Sequence, residues 1–120
     1  MTLPWKDKLF DFAEKDDKNS YDLIVHATKA TFPQLTTANI INAKDDNGQT
    51  TIMVNCIHCK STKLVKFMLS NGADLQLTCN NGSGIFDFIK RNEHGMSKQL
   101  LDVIGTRYLQ TDEVLPPLNL

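Results

Sequence analysis

Cys56-Ile57-His58-Cys59, with Cys79 and His94 further along the chain, gathers residue types that can hold zinc or arm a nucleophilic thiol. Both chemistries ask for more than residue types. A structural zinc site needs a full donor set on a rigid knuckle, and this chain has one CxxC pair and no second. Lys60 stands where a haem-attachment motif requires His. A nucleophile built from Cys59 or Cys79 with His58 or His94 would need an oxyanion-binding turn and a third group to orient the base. The sequence offers neither. The plainer reading is a small core residue at Cys56 and a loop-filling one at Cys59. Asp11, Glu14, Asp16, Asp17 and Asp22 read as a solvated cap, and His26 as a partly buried packing residue. Lys60, Lys63 and Lys66 read as a wet helix face. Without a phosphate cradle or dinucleotide fingerprint, these residues argue for no enzyme, no cofactor, no metal and no small-molecule substrate.

The elements that must carry these side chains fit one small domain. In 120 residues, 41% hydrophobic content arrives in short amphipathic runs that can fill a single core. No run approaches the roughly 18 consecutive apolar residues of a membrane span, and Met1–Asp7 has no apolar signal region. A net charge of −1 leaves no basic footprint for nucleic acid. Three cysteines, an odd number, suit a reducing compartment. The expectation is a cytoplasmic protein with no membrane or nucleic-acid partner.

The organising stretch runs from Asp45 to Leu77. Asp46-Asn47-Gly48 signals a tight reversal, and Thr50 can cap a helix beginning just after it. Ile52, Met53 and Cys56 give that short helix one apolar face. Lys60-Ser61-Thr62 breaks the pattern, and Ser61 or Thr62 can cap a second helix with Leu64, Val65, Met68 and Leu69 on one side. Asn71-Gly72 stops it. Asn47, Gly48 and Ile52 recur 34 residues later as Asn81, Gly82 and Phe86, and Ile85, Phe86 and Ile89 form a stripe there. Ser97 can cap a last helix holding Leu100, Leu101, Val103 and Ile104. Upstream, Trp5, Leu9, Phe10, Phe12 and Ala13 suggest one helix. Ser20 can cap another, whose buried side is read as Tyr21, Leu23, Ile24, Ala27 and Ala30. Pro33 ends it, and Phe32–Asn39 reads as a looser connection.

The Gly-x-Thr opening, paired helices and closing Gly72-Ala73-Asp74-Leu75 resemble an ankyrin repeat. The matching residues include Gly48, Thr50, Ile52, Cys56, Leu64, Val65, Phe67, Met68 and Leu69. Thr51, Met53 and Asn55 depart from the family pattern, Asn55 standing where a small residue normally packs. The resemblance implies an all-α fold: a short ankyrin-repeat solenoid of about three stacked helix-turn-helix units with β-turn or hairpin tips. Residues 1–110 would form one domain, with a capping helix pair at 5–39, a central repeat at 45–77 and a C-terminal repeat at 79–109. Residues 111–120 would be an extended tail, because Leu115-Pro116-Pro117-Leu118 cannot be helical across its prolines. The capping pair should present a polar outer face.

By the same resemblance, the chain is a protein-interaction module that binds another protein along a concave strip of tips and first helices. That strip would comprise Lys44, Asp46, Asn47, Gln49, Ile57 and His58, then Thr78, Asn80, Asn81, Ser83, Arg91 and Asn92. Ile57 would be its apolar anchor if exposed, with burial against the adjacent repeat the equal alternative. A different reading is a structural or regulatory piece, or a homodimer, bound through the ends of the stack. A thiol enzyme stands third. The lysine- and asparagine-rich composition is similar to that of ankyrin proteins of intracellular bacteria, which are often delivered into host cells, so bacterial and host cytosol both fit.

Overall fold

In the computed structural model, which describes residues 4–112, the stretch 45–77 folds around α4 (Thr51–His58) and α5 (Lys63–Ser70). Ahead of them come α1 (Pro4–Glu14), α2 (Lys18–Thr31) and α3 (Thr37–Ile41); after them come α6 (Ile85–Lys90) and α7 (Ser97–Asp112). The described residues are all-helical, with no strand among them. The hairpin tips expected before α4 and α6 are therefore not seen, and each place holds a tight reversal instead. No described helix is long and apolar enough to cross a membrane.

α4 lies at the centre. It packs against α1 on one side and α6 on the other, with α5 beside it; α2 packs on α1, α3 and α5, and α7 on α6. Ile52, Met53 and Cys56 are buried on α4, and Leu64, Val65, Met68 and Leu69 on α5. Each stripe follows the helical repeat, so one face goes inward and lysines 63 and 66 stay exposed. Gly72 ends α5 at φ 97°, a left-handed conformation that a side chain would resist. α5 and α7 flank a groove of about 500 Å³ lined in part by Lys66, Leu69, Val103 and Arg107, and Arg107 Nη1 bridges them by donating to Leu69 O at 2.9 Å.

Several local expectations change. α2 begins at Lys18, not after Ser20, because the Asp17 carboxylate accepts the Ser20 N–H at 3.1 Å and serves as N-cap. That contact holds the Asp17 carboxyl below its ordinary range. Its buried stripe is Tyr21, Val25 and Thr28, whereas Leu23, Ala27 and Ala30 are not buried in it, Leu23 standing well out. The helix is turned by Tyr21, whose hydroxyl meets Thr51 Oγ1 at 2.5 Å and whose ring stands edge-on to Phe67. His26 is exposed and pairs with Asp22 at 2.8 Å, so it is not a packing residue. The connection after Phe32 contains α3, made by a reciprocal cap: Asn39 N–H donates to Thr36 Oγ1, and Thr36 N–H to Asn39 Oδ1. Thr50 occupies the N-cap of α4, but its buried hydroxyl has no partner among the described residues. α7 continues through Thr111 and Asp112. The remaining tail, Leu115–Leu120 included, lies outside the described residues.

Candidate functional site

Two reversals, 45–49 and 79–83, carry half of the candidate strip. In the first, Asp45 N–H donates to Gln49 O and Gly48 N–H to Asp45 O, both at 3.0 Å. In the second, Cys79 N–H donates to Ser83 O at 3.0 Å and Gly82 N–H to Cys79 O at 2.9 Å. Gly48 and Gly82 take φ 75° and 86°, which the closure requires and glycine supplies without strain.

Side chains lock one tip to the next. Asn80 Nδ2 donates to Asp46 O at 3.0 Å, while Asn80 N–H donates to Asn47 O at 2.9 Å. Lys6 Nζ donates to Lys44 O at 2.8 Å, and Lys44 Nζ donates in turn to Thr78 O at 3.3 Å. The far ends of the first helices are locked as well. Asn92 Nδ2 donates to Cys56 O at 2.8 Å and to Cys59 O at 3.2 Å, and His58 pairs with Glu93 at 3.0 Å. On the other side of α4, buried Asn55 Nδ2 donates to Ala13 O and to Asp16 Oδ1, each at 2.9 Å. Asp16 Oδ2 also accepts the Lys60 N–H at 3.0 Å. Asp16, at φ 55°, thus ties the α1–α2 turn to both ends of this contact on α4 and Lys60, rather than standing in a solvated cap.

The candidate residues therefore divide. Lys44, Asn80, His58 and Asn92 spend their side chains holding neighbours together. Asn81 serves its own turn, with Oδ1 accepting from Ser83 N–H and from the Cys79 thiol. Arg91 folds back along α6, its guanidinium 5.0 Å over the Phe88 ring and donating to Ser83 Oγ at 3.4 Å. Ile57 is half-buried against the core, which leaves it a partial anchor at most. Asp46 and Asn47 are exposed, Gln49 and Thr78 at least partly so, and none of these four side chains makes a hydrogen bond within the described residues. Sequence reasoning missed Lys6, Asp7 and Phe10, which join Asp45 and Asp46 around a depression of about 180 Å³. Nothing in the sequence ties α1 to that tip, because their adjacency comes from α1 packing on α4.

The three thiols differ. Burial pushes Cys56 up strongly, and burial with the nearby Asp16 carboxylate raises Cys59 to about 11. Burial also pushes Cys79 up, but the N–H groups of Asn81 and Ser83 outweigh it and hold this thiol below its usual value. All three are free. Among the described residues, no cluster of His, Cys, Asp and Glu is arranged to hold a metal ion. The chain matches no family model, and no curated protein or solved structure is similar enough to count as a match.

Proposed function

We propose that the chain is a short ankyrin-like stack that recognises another protein along its tips and first helices. The recurrence of one closed reversal at a 34-residue spacing, with each unit hydrogen-bonded to the next, supports the stacked reading. The observation that carries the binding reading is the first tip itself. Its backbone is held by Asn80 and Lys6, yet Asp46, Asn47 and Gln49 leave their polar side chains unspent. A pre-organised polar row of this kind binds with little ordering cost. Arg91, at the end of α6 and reaching back to Ser83 of the second tip, is the residue there best placed to become a hot spot. Three free thiols fit a reducing cytosol, whether bacterial or host.

The test is affinity capture of the partner by the wild-type chain, identified by mass spectrometry and then measured directly. Asp46→Ala with Gln49→Ala, and Arg91→Ala, should weaken binding by roughly tenfold without lowering the melting temperature. Lys63→Ala with Lys66→Ala, on the exposed face of α5, should leave binding unchanged. The reverse pattern would move the site to α5 and end the tip hypothesis.

A further inference from the structure

We propose that the outward face of α1 and α2 docks a second copy of this chain, the two copies meeting about a two-fold axis with their α2 helices antiparallel. A terminal unit of a stack is expected to end in a polar surface. This one does not. Two adjoining grooves of about 310 and 270 Å³ run between α1 and α2, and Ile24 and Ala27 line both. Trp5 and Phe12 form part of the α1 wall. Leu23, 72% exposed, and Phe32, 38% exposed, also line them, one in each groove. Among the described residues, Lys8 is the one charged side chain lining either groove, and its aliphatic stem extends the apolar surface.

The α2 ridge indicates which cover fits. Leu23, Ala27 and Ala30 lie outside the buried stripe and follow one another at intervals of four and three, a seam that helices use to pack. A large side chain stands at one end of the seam and a small one at the other, with Ala27 between. An antiparallel copy centred beside Ala27 sets each Leu23 over the other copy's Ala30. A parallel copy would set Leu23 against Leu23 and leave the alanines over a gap. The ridge is therefore complementary to itself in one orientation, which is the condition for an isologous interface. Among the described residues the grooves themselves present no carboxylate, and the nearby carboxylates of Asp11 and Asp22 pair within their own helices, with Lys15 and with Lys18 and His26. Roughly a dozen residues a side is about half of a standard interface, so the dimer is weak. It uses the end of the stack and leaves the tips open, so it stands or falls separately from the recognition strip.

Sedimentation equilibrium of the full chain from about 10 µM to about 500 µM should show monomer passing to dimer and nothing larger. Leu23→Lys, and separately Ala30→Lys, should each weaken dimerisation by roughly tenfold or more. Neither should lower the melting temperature, because neither side chain belongs to the buried stripe of the monomer. Leu101→Lys, at an exposed position on α7, should change nothing. A mixture of Leu23→Cys and Ala30→Cys chains should form an interchain disulfide in higher yield than either variant alone. Monomer throughout the range would overturn the proposal, as would a dimer indifferent to Leu23→Lys. An open-ended series abolished by Leu101→Lys would replace it with head-to-tail stacking.

Discussion

Residues 45–49 and 79–83 make the same reversal in different surroundings. At the first tip, the backbone of Asn80 lies directly against Gly48, so a Cβ there would come within 2.9 Å of Asn80 N. At the second, a Cβ on Gly82 would meet nothing within 4 Å. The two also close differently inside. Asp45 Oδ1 accepts from the N–H groups of Asn47 and Gln49, each at 2.9 Å, whereas Cys79 at the equivalent position donates its thiol to Asn81 Oδ1. One local device thus serves once as a packed joint and once as an open end. The difference lies in what stacks on it, not in the turn.

The sharpest break of this comparison is alanine at each glycine. Both substitutions carry the left-handed backbone cost of roughly 1–2 kcal/mol. Gly48→Ala must also displace the Asn80 backbone, and should lose about 3 kcal/mol or more in urea or thermal melts. Gly82→Ala should lose about 1 kcal/mol, the backbone cost alone. Equal losses would mean that the second unit does not bear on the first tip.

A smaller effect sharpens the same point. Asn80→Ala removes the amide bridge to Asp46 O and should cost about 1 kcal/mol. In that background Gly48→Ala should cost less than in the wild type, by about 0.5–1 kcal/mol, because part of what it collides with is gone. Strict additivity in the double-mutant cycle would refute the direct contact.

The chemistry inside the turns makes two further expectations. Cys79→Asp gives the second tip the acceptor that the first one has, and a small rise in melting temperature should result. In the wild type, a thiol reagent at mildly alkaline pH should modify Cys79 first, with Cys56 and Cys59 reacting only as the chain unfolds. Mass spectrometry of the singly labelled product decides this, and early labelling of Cys59 would contradict its burial. The smallest effect belongs to the outward residues of the first tip. Asp46→Ala and Gln49→Ala should stay within about 0.5 kcal/mol of wild type.

Much of the central unit could be read from its residues. The α5 stripe, the Gly72 stop and the recurrence of Asn-Gly all depend on neighbours within a few positions, so their signals are local. Asn55 announced a difficulty, since a buried amide must find partners, but not its answer at Ala13 and Asp16. The candidate strip is less legible. Four of its polar members, Lys44, His58, Asn80 and Asn92, are bonded to partners 34 to 36 positions away in the chain. A lysine or asparagine that clamps a neighbouring unit has the same sequence signature as one that awaits a partner.

α2 shows where that limit falls. Its sequence holds two stripes of helical spacing, Tyr21-Val25-Thr28 and Leu23-Ala27-Ala30, and the second is the more uniformly apolar. Helix length, caps and glycine stops are set by the sequence itself, because torsional sterics and hydrogen bonds to adjacent residues act over one or two turns. Which stripe faces inward is decided only by the tertiary structure. Tyr21 finds Thr51 thirty residues away and the ring of Phe67 beyond it, and that long-range pairing turns Leu23 outward. Burial is a property of the neighbour as much as of the residue, and the chain's local code does not name the neighbour.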